Sequence, residues 1–330
     1  MAQQATRSGS KNKATLVRND GVIFDASLLE HMHVNRSAVE RRAATITKRR
    51  SVKKSYQAAW LLRAISCMDL TTLAGDDTPS NVIRLCAKAQ NPVRTDIIHE
   101  LGMQDEALTV AAVCVYHNHI KTAAQSLQGS TIPIAAVSTG FPAGKITLRD
   151  KLTQIKKSVK AGADEIDIVI SRELVLRSEW KALYDEVKAC REACGEAHMK
   201  TILATGEIPT YTKVAKASWV SMMAGSDFIK TSTGKESVNA TIEVGLVMLR
   251  CIREYEELTN RKVGFKPAGG IRKAKDALAW LILMKEELGD RWLYPDLFRF
   301  GASSLLGDIE RQLEHFVTGR YSASYRHPMA

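Results

Sequence analysis

The chain has 330 residues, of which 45% are hydrophobic and 25% charged, with a formal net charge of +11. That balance is ordinary for a soluble globular protein with enough chain for a large core. Apolar runs such as ALAWLILM (277–284) are far too short to span a bilayer, which excludes a helical membrane protein.

The charge is unevenly placed. Residues 1–60 hold 12 Lys/Arg against 4 Asp/Glu, so they carry +8 and leave +3 for the other 270 residues. The densest part is RRAATITKRRSVKK (41–54). Such a run could bind nucleic acid. However, Arg41, Arg42, Lys48, Arg49, Lys53 and Lys54 are interleaved with Ala43, Ile46 and Val52, as on a solvated helix face, and aromatic stacking residues are missing. Residues 1–55 therefore read as a basic, mainly helical extension whose first ~20 residues are expected to be disordered. Residues 56–318 read as the main folded domain and 319–330 as a C-terminal tail. Six scattered cysteines and no apolar leader point to a reducing, cytoplasmic setting. Cys190 and Cys194 read as helix packing.

From residue 60 onward, β-rich runs alternate with amphipathic helical patterns. The predicted strands are AISCMDL (64–70), TVAAVCVY (109–116), TIPIAAVST (131–139), DEIDIVIS (164–171), MKTILATG (199–206), SDFIKTST (226–233), KVGFKPAG (262–269) and LFRFGAS (297–303). Helices are predicted between them, among them 149–162 and 179–195, each ending in glycine. Eight β/α units fit a closed parallel (β/α)8 barrel of the α/β class. An open doubly wound sheet would carry a glycine-rich phosphate turn after its first strand, and this chain has none there.

Barrel geometry ranks the polar residues, because catalytic groups lie at the carboxyl ends of the strands and side chains alternate between lumen and helix layer. Lys230 and Lys266 each sit inside a strand that should be apolar, and burying an ammonium is costly unless chemistry needs it. Two such lysines on consecutive strands point to an amine held partly neutral by burial and like charge, the condition for an imine-forming nucleophile. In the fourth strand Ile166, Ile168 and Ile170 suit the helix layer, which turns Glu165, Asp167 and Val169 inward. The structural alternative for each lysine is an ion pair or a side chain reaching for water.

A second signal lies in the loops. STGK (232–235), AGGIR (268–272) and GASS (301–304) follow the last three strands, where this architecture holds phosphate. Thr233, Gly234, Lys235, Gly269, Gly270, Arg272, Gly301, Ser303 and Ser304 are the candidates. His117 and His119 in YHNHI lack a third ligand at sensible spacing, so no metal is expected.

Six stretches carry a family resemblance: MDLTTLAGDDT (68–78), GADEIDIVIS (162–171), KTILATGEI (200–208), DFIKTSTGKESVNAT (227–241), GFKPAGGIR (264–272) and FGASSLL (300–306). In these the chain resembles the deoxyribose-phosphate aldolases, class I aldolases on the eight-stranded barrel, in their longer animal-type form. The resemblance implies that Lys230 forms the Schiff base and that Lys266 and Asp167 handle protons. It places Asp69, Thr71 and Cys114 along the pocket, and carries over Tyr325 although Arg326–Ala330 follow it. It departs at YHNHI, where the family generally has a proline after the tyrosine, which bears on His117 and Asn118 alone. The implied partners are a sugar phosphate and acetaldehyde, with no cofactor, no membrane, no nucleic acid, and a homo-oligomer left open. The alternatives are another imine-forming aldolase or transaldolase on the same barrel, or a nucleic-acid-binding protein using the basic arm.

Overall fold

The computed structural model describes residues 18–49 and 51–327. Among these, eight strands alternate with helices: β1 (Met68–Thr71), β2 (Ala112–Tyr116), β3 (Ile134–Val137), β4 (Glu165–Val169), β5 (His198–Ile202), β6 (Phe228–Lys230), β7 (Gly264–Lys266) and β8 (Phe300–Ala302). Neighbours pair in parallel in the order β7-β6-β5-β4-β3-β2-β1-β8. Bridges Phe265–Phe298 and Ala268–Gly301 close the circle between β7 and β8. The molecule is a TIM barrel.

The first predicted strand needs correcting. Residues 64–66 end the helix Lys54–Ser66, and β1 starts only at Met68. A short apolar run suits either element. Here Leu61, Ala64 and Ile65 recur at helical spacing and are buried together. The predicted helices match well. Leu148–Ala161 opens on Thr147, whose hydroxyl accepts from Asp150 N at 3.2 Å, and closes on Gly162 at φ 108°, a left-handed cap that glycine adopts without strain. Trp180–Cys194 buries Cys190 and Cys194 on its inner face.

Alternation along the strands sorts side chains as expected. Ile166, Ile168 and Ile170 join the apolar layer under the helices, while Glu165 and Asp167 form ion pairs inside the barrel. Phe228 also turns inward and its ring lies where a Cβ on residue 264 would be, so only glycine fits opposite it. The lumen is therefore packed rather than open, as barrel interiors are.

The basic arm folds onto the barrel. Helix Arg36–Arg49 packs on helices Ile242–Thr259 and Ala274–Leu288, burying Val39, Ala43 and Ile46. Arg42 pairs with Glu286 at 2.7 Å and Glu287 at 3.2 Å, while Arg41 and Lys48 face solvent. The segment expected to be disordered falls mostly on residues 1–17, outside those described. Asn19 just beyond is only 2% exposed and is pinned by Asp227 Oδ1, which accepts from its backbone N–H at 3.0 Å. Among the described residues no helix is long and apolar enough to cross a membrane.

Candidate active site

Strand register brings the charged residues together. Asp167 on β4 sits level with Lys200 on β5, and Lys230 on β6 sits level with Lys266 on β7. Asp69 on β1 sits level with Gly301 on β8, where a side chain would crowd Lys266 Cε. Because all point inward from neighbouring strands, their termini meet in the lumen.

The contacts form a continuous network. Arg299 donates to Asp69 Oδ1 at 2.6 Å and to Glu165 Oε1 at 2.8 Å. Lys200 pairs with Glu165 and, at 3.1 Å, with Asp167 Oδ1. Lys266 bridges Asp69 Oδ2 at 2.5 Å and Asp167 Oδ2 at 2.8 Å. Lys230 donates to Asp167 Oδ2 at 2.7 Å, and among the described residues that is its sole ion pair. All are buried, with Lys230 slightly open at 3% exposure and Lys266 at 0%.

The cluster thus sets four cations (Lys200, Lys230, Lys266, Arg299) against three carboxylates (Asp69, Glu165, Asp167). An uncompensated buried charge is costly, so the group with the weakest pairing is the one to lose its proton. Burial lowers the pKa of Lys230, assisted by Lys266 and opposed by Asp167. Burial would lower Lys266 as well, but Asp167 and Asp69 together drive it up, and Asp167, Glu165 and Asp69 do the same for Lys200. Asp167 faces burial that would raise it, yet Lys200, Lys230 and Lys266 hold it well below the carboxylate range. The result is one lysine whose pKa is lowered beside another whose pKa is raised, with a carboxylate held ionised between them.

The opposite wall is small and apolar. Ala112, Cys114, Ala135 and Val137 from β2 and β3 form a separate buried cluster, flanked by Leu73, Tyr116 and Phe141. Cys114 is close enough to Lys266 and Asp167 for their charges to act on its thiol, which burial pushes up. Thr71 follows Asp69 on β1 and donates its hydroxyl to the Asp69 carbonyl at 2.7 Å.

Beyond Lys230, the loops expected to hold phosphate converge at the carboxyl ends of β6, β7 and β8. Gly234 and Gly269 both have positive φ, at 87° and 81°, and a Cβ on Gly234 would lie 3.8 Å from Gly269 Cα. Thr233 is buried, whereas Gly234, Lys235, Gly270, Arg272, Ser303 and Ser304 are exposed around the barrel mouth, with Gly301 half-buried between them. His117 and Asn118 are also exposed, and among the described residues no group of three or more His, Cys, Asp or Glu side chains could hold a metal ion.

Tyr325 does not join the lysines. Helix Leu305–Thr318 carries the chain away from β8 toward the other end of the barrel, and the tail is clamped to the C-terminal half of that helix. His327 Nε2 lies 2.7 Å from Glu314 Oε2, and Arg326 lies 3.3 Å from Glu314 Oε1. Tyr325 itself is 82% exposed.

Sequence reasoning passed over Lys200 and Arg299, and read Glu165 as inward-facing without a partner. The signal that singled out Lys230, a cation inside an apolar run, is equally present in MKTILATG and LFRFGAS.

Comparison with known proteins identifies the family. A model of the DeoC/LacD family aldolases matches residues 63–308. The chain is 60% identical over 312 residues to the deoxyribose-phosphate aldolase of Mus musculus, covering 94% of this chain and 98% of that one. It is 58% identical over 314 residues to the Homo sapiens enzyme of the same name, covering 94% and 99%. In fold it is similar to a deoxyribose phosphate aldolase from Aeropyrum pernix, with a TM-score of 0.61 at 20% identity over 85% of this chain and 99% of that one. Coverage of nearly the whole chain at such identity places the protein among the DeoC/LacD family aldolases.

Proposed function

We propose that this aldolase cleaves 2-deoxy-D-ribose 5-phosphate reversibly to acetaldehyde and D-glyceraldehyde 3-phosphate through an imine on Lys230. The observation that carries the reading is the charge imbalance of the lumen, which leaves Lys230, among the described residues of the cluster, as the cation with a single, shared carboxylate. The names of the most similar relatives support the choice of substrate.

Neutral Lys230 attacks the C1 aldehyde of the open-chain sugar, giving a carbinolamine that loses water to form an iminium. The C3 hydroxyl gives up its proton as the C2–C3 bond breaks, and the bonding pair moves into the iminium to form an enamine. Glyceraldehyde 3-phosphate leaves, the enamine takes a proton at C2, and water releases acetaldehyde and Lys230. Asp167, ionised and 2.7 Å from Lys230, is the group placed to move these protons. Lys266 stays an ammonium, depressing the pKa of Lys230 and holding Asp167 in position. The iminium is itself the electron sink, so no cofactor is called on. Asp69 holds Lys266, and Thr71 and Cys114 line the pocket beside it. The small wall of Ala112, Cys114 and Ala135 suits the two-carbon fragment. Thr233, Gly234, Lys235, Gly269, Gly270, Arg272, Gly301, Ser303 and Ser304 hold the phosphate end, contributing binding energy to orientation.

The reading places the enzyme in the breakdown of deoxyribonucleosides in the cytoplasm, and six free, buried cysteines suit a reducing compartment. Product analysis tests it. Purified protein given 2-deoxyribose 5-phosphate is expected to release acetaldehyde. Turnover of fructose or sedoheptulose phosphates with none of the deoxy sugar would move the protein to another imine-forming aldolase or transaldolase.

A further inference from the structure

The loop after β6 already holds an anion of its own. Thr233 N donates to both carboxylate oxygens of Glu236, at 3.0 Å and 3.1 Å, and Gly234 N donates to Oε2 at 3.1 Å. Glu236 is half-buried, and its carbonyl accepts from Asn239 Nδ2 at 2.9 Å. Thr233 Oγ1 accepts from Lys235 N at 3.1 Å, so the loop is folded tightly around the carboxylate. Gly234, at φ 87°, supplies the left-handed residue that lets two successive amides converge on one point. Converging amides of this kind make a cradle for an anion.

These are among the amides assigned above to the substrate phosphate, and the inference rests on that reading. Each N–H has one hydrogen, so a phosphate oxygen and the Glu236 carboxylate cannot both take it fully. Two anions at this distance also repel each other. We infer that Glu236 is an internal counter-ligand that occupies the phosphate cradle in the free enzyme and must be displaced by the phosphate of the substrate. Glu236 then sets how strongly the site discriminates between phosphorylated and unphosphorylated sugars. A dianionic phosphate, which also meets Lys235 and the loops after β7 and β8, competes for the amides. A neutral hydroxymethyl group does not.

The test compares wild type with Glu236→Gln and Glu236→Ala, measuring inhibition by inorganic phosphate and KM for 2-deoxyribose 5-phosphate and for 2-deoxyribose. Glutamine keeps an acceptor on the amides and removes the charge, so the loop retains its internal support. Both variants are expected to lower Ki for phosphate and KM for the phosphorylated sugar by the same factor, about three- to tenfold, the span of one hydrogen bond's net worth. KM for 2-deoxyribose is expected to stay where it is. A Ki that rises or holds constant in Glu236→Gln, with phosphate still competitive, overturns the inference and makes Glu236 a pin for the loop. Should phosphate fail to compete with the sugar phosphate in the wild-type enzyme, the phosphate assignment falls, and this inference with it.

Discussion

Deep in the lumen every cation has more than one carboxylate. Arg299 holds Glu165 and Asp69, and Lys200 holds Glu165 and Asp167. At the mouth, among the described residues, Lys230 has Asp167 alone and shares it with Lys200 and Lys266. The two regions use the same residue types at the same near-total burial, so burial alone does not make an amine reactive. Pairing decides it. Lysines with two acids are driven further toward the ammonium, whereas the lysine left with a share of one is driven toward the free amine.

The sharpest way to break this comparison is to remove the amine proposed to form the imine. Lys230→Arg keeps the charge and the Asp167 pairing but cannot form an imine, and is expected to lower kcat by about a thousandfold or more, read in a coupled assay for glyceraldehyde 3-phosphate. Its circular dichroism should stay close to wild type, whereas its melting temperature should fall, because a buried guanidinium cannot shed the charge that Lys230 can.

Mutating the deep network should do the reverse. Arg299→Leu leaves Glu165 with Lys200 and Asp69 with Lys266 but removes the guanidinium that ties the two acids together, and breaking buried pairs of this kind costs up to about 3–5 kcal/mol, measurable by urea denaturation. The variant should nonetheless still trap acetaldehyde on Lys230. Equal stability in Arg299→Leu and wild type would mean that the deep pairs are not what holds the lumen together.

Lys266 joins the two regions, and its removal has a signed consequence. Lys266→Met takes away a like charge that depresses the pKa of Lys230 and releases Asp167 to pair with Lys230 more fully. Both changes raise that pKa. The wild-type rate of imine formation with acetaldehyde is expected to rise with pH through an apparent pKa below the ordinary lysine value of 10.5. In Lys266→Met that limb should move upward by roughly one unit or more. A limb that stays in place would assign the depression to burial alone.

The smallest effect is expected at the far end of the substrate. Arg272→Ala or Ser303→Ala removes one of the contacts proposed to the phosphate, so KM for the phosphorylated sugar should rise about tenfold, the worth of one charged hydrogen bond. The response to unphosphorylated 2-deoxyribose should be unaltered.

Most of this architecture is legible in the chain because its signals are local. A lysine in an apolar run is conspicuous whatever surrounds it, and period-two alternation was enough to turn Asp167 inward and Ile166 outward. Other features depend on partners far away in sequence. The start of β1 was misplaced because AISCM satisfies helix and strand alike, and packing of Ile65 settles the matter. The pairing that separates Lys230 from Lys266 joins β7 to Asp69 on β1 and Asp167 on β4, so strand position alone did not distinguish the two. The grip of Glu236 on two amides needs the left-handed turn at Gly234, and the tail is drawn from the pocket by His327 and Arg326.

The central claim is that charge imbalance selects Lys230 as the amine. Borohydride reduction in the presence of acetaldehyde, followed by peptide mass spectrometry, tests it most directly. The account predicts a two-carbon adduct on Lys230, with Lys266 and Lys200 unmodified. An adduct on Lys266 and none on Lys230 would contradict it.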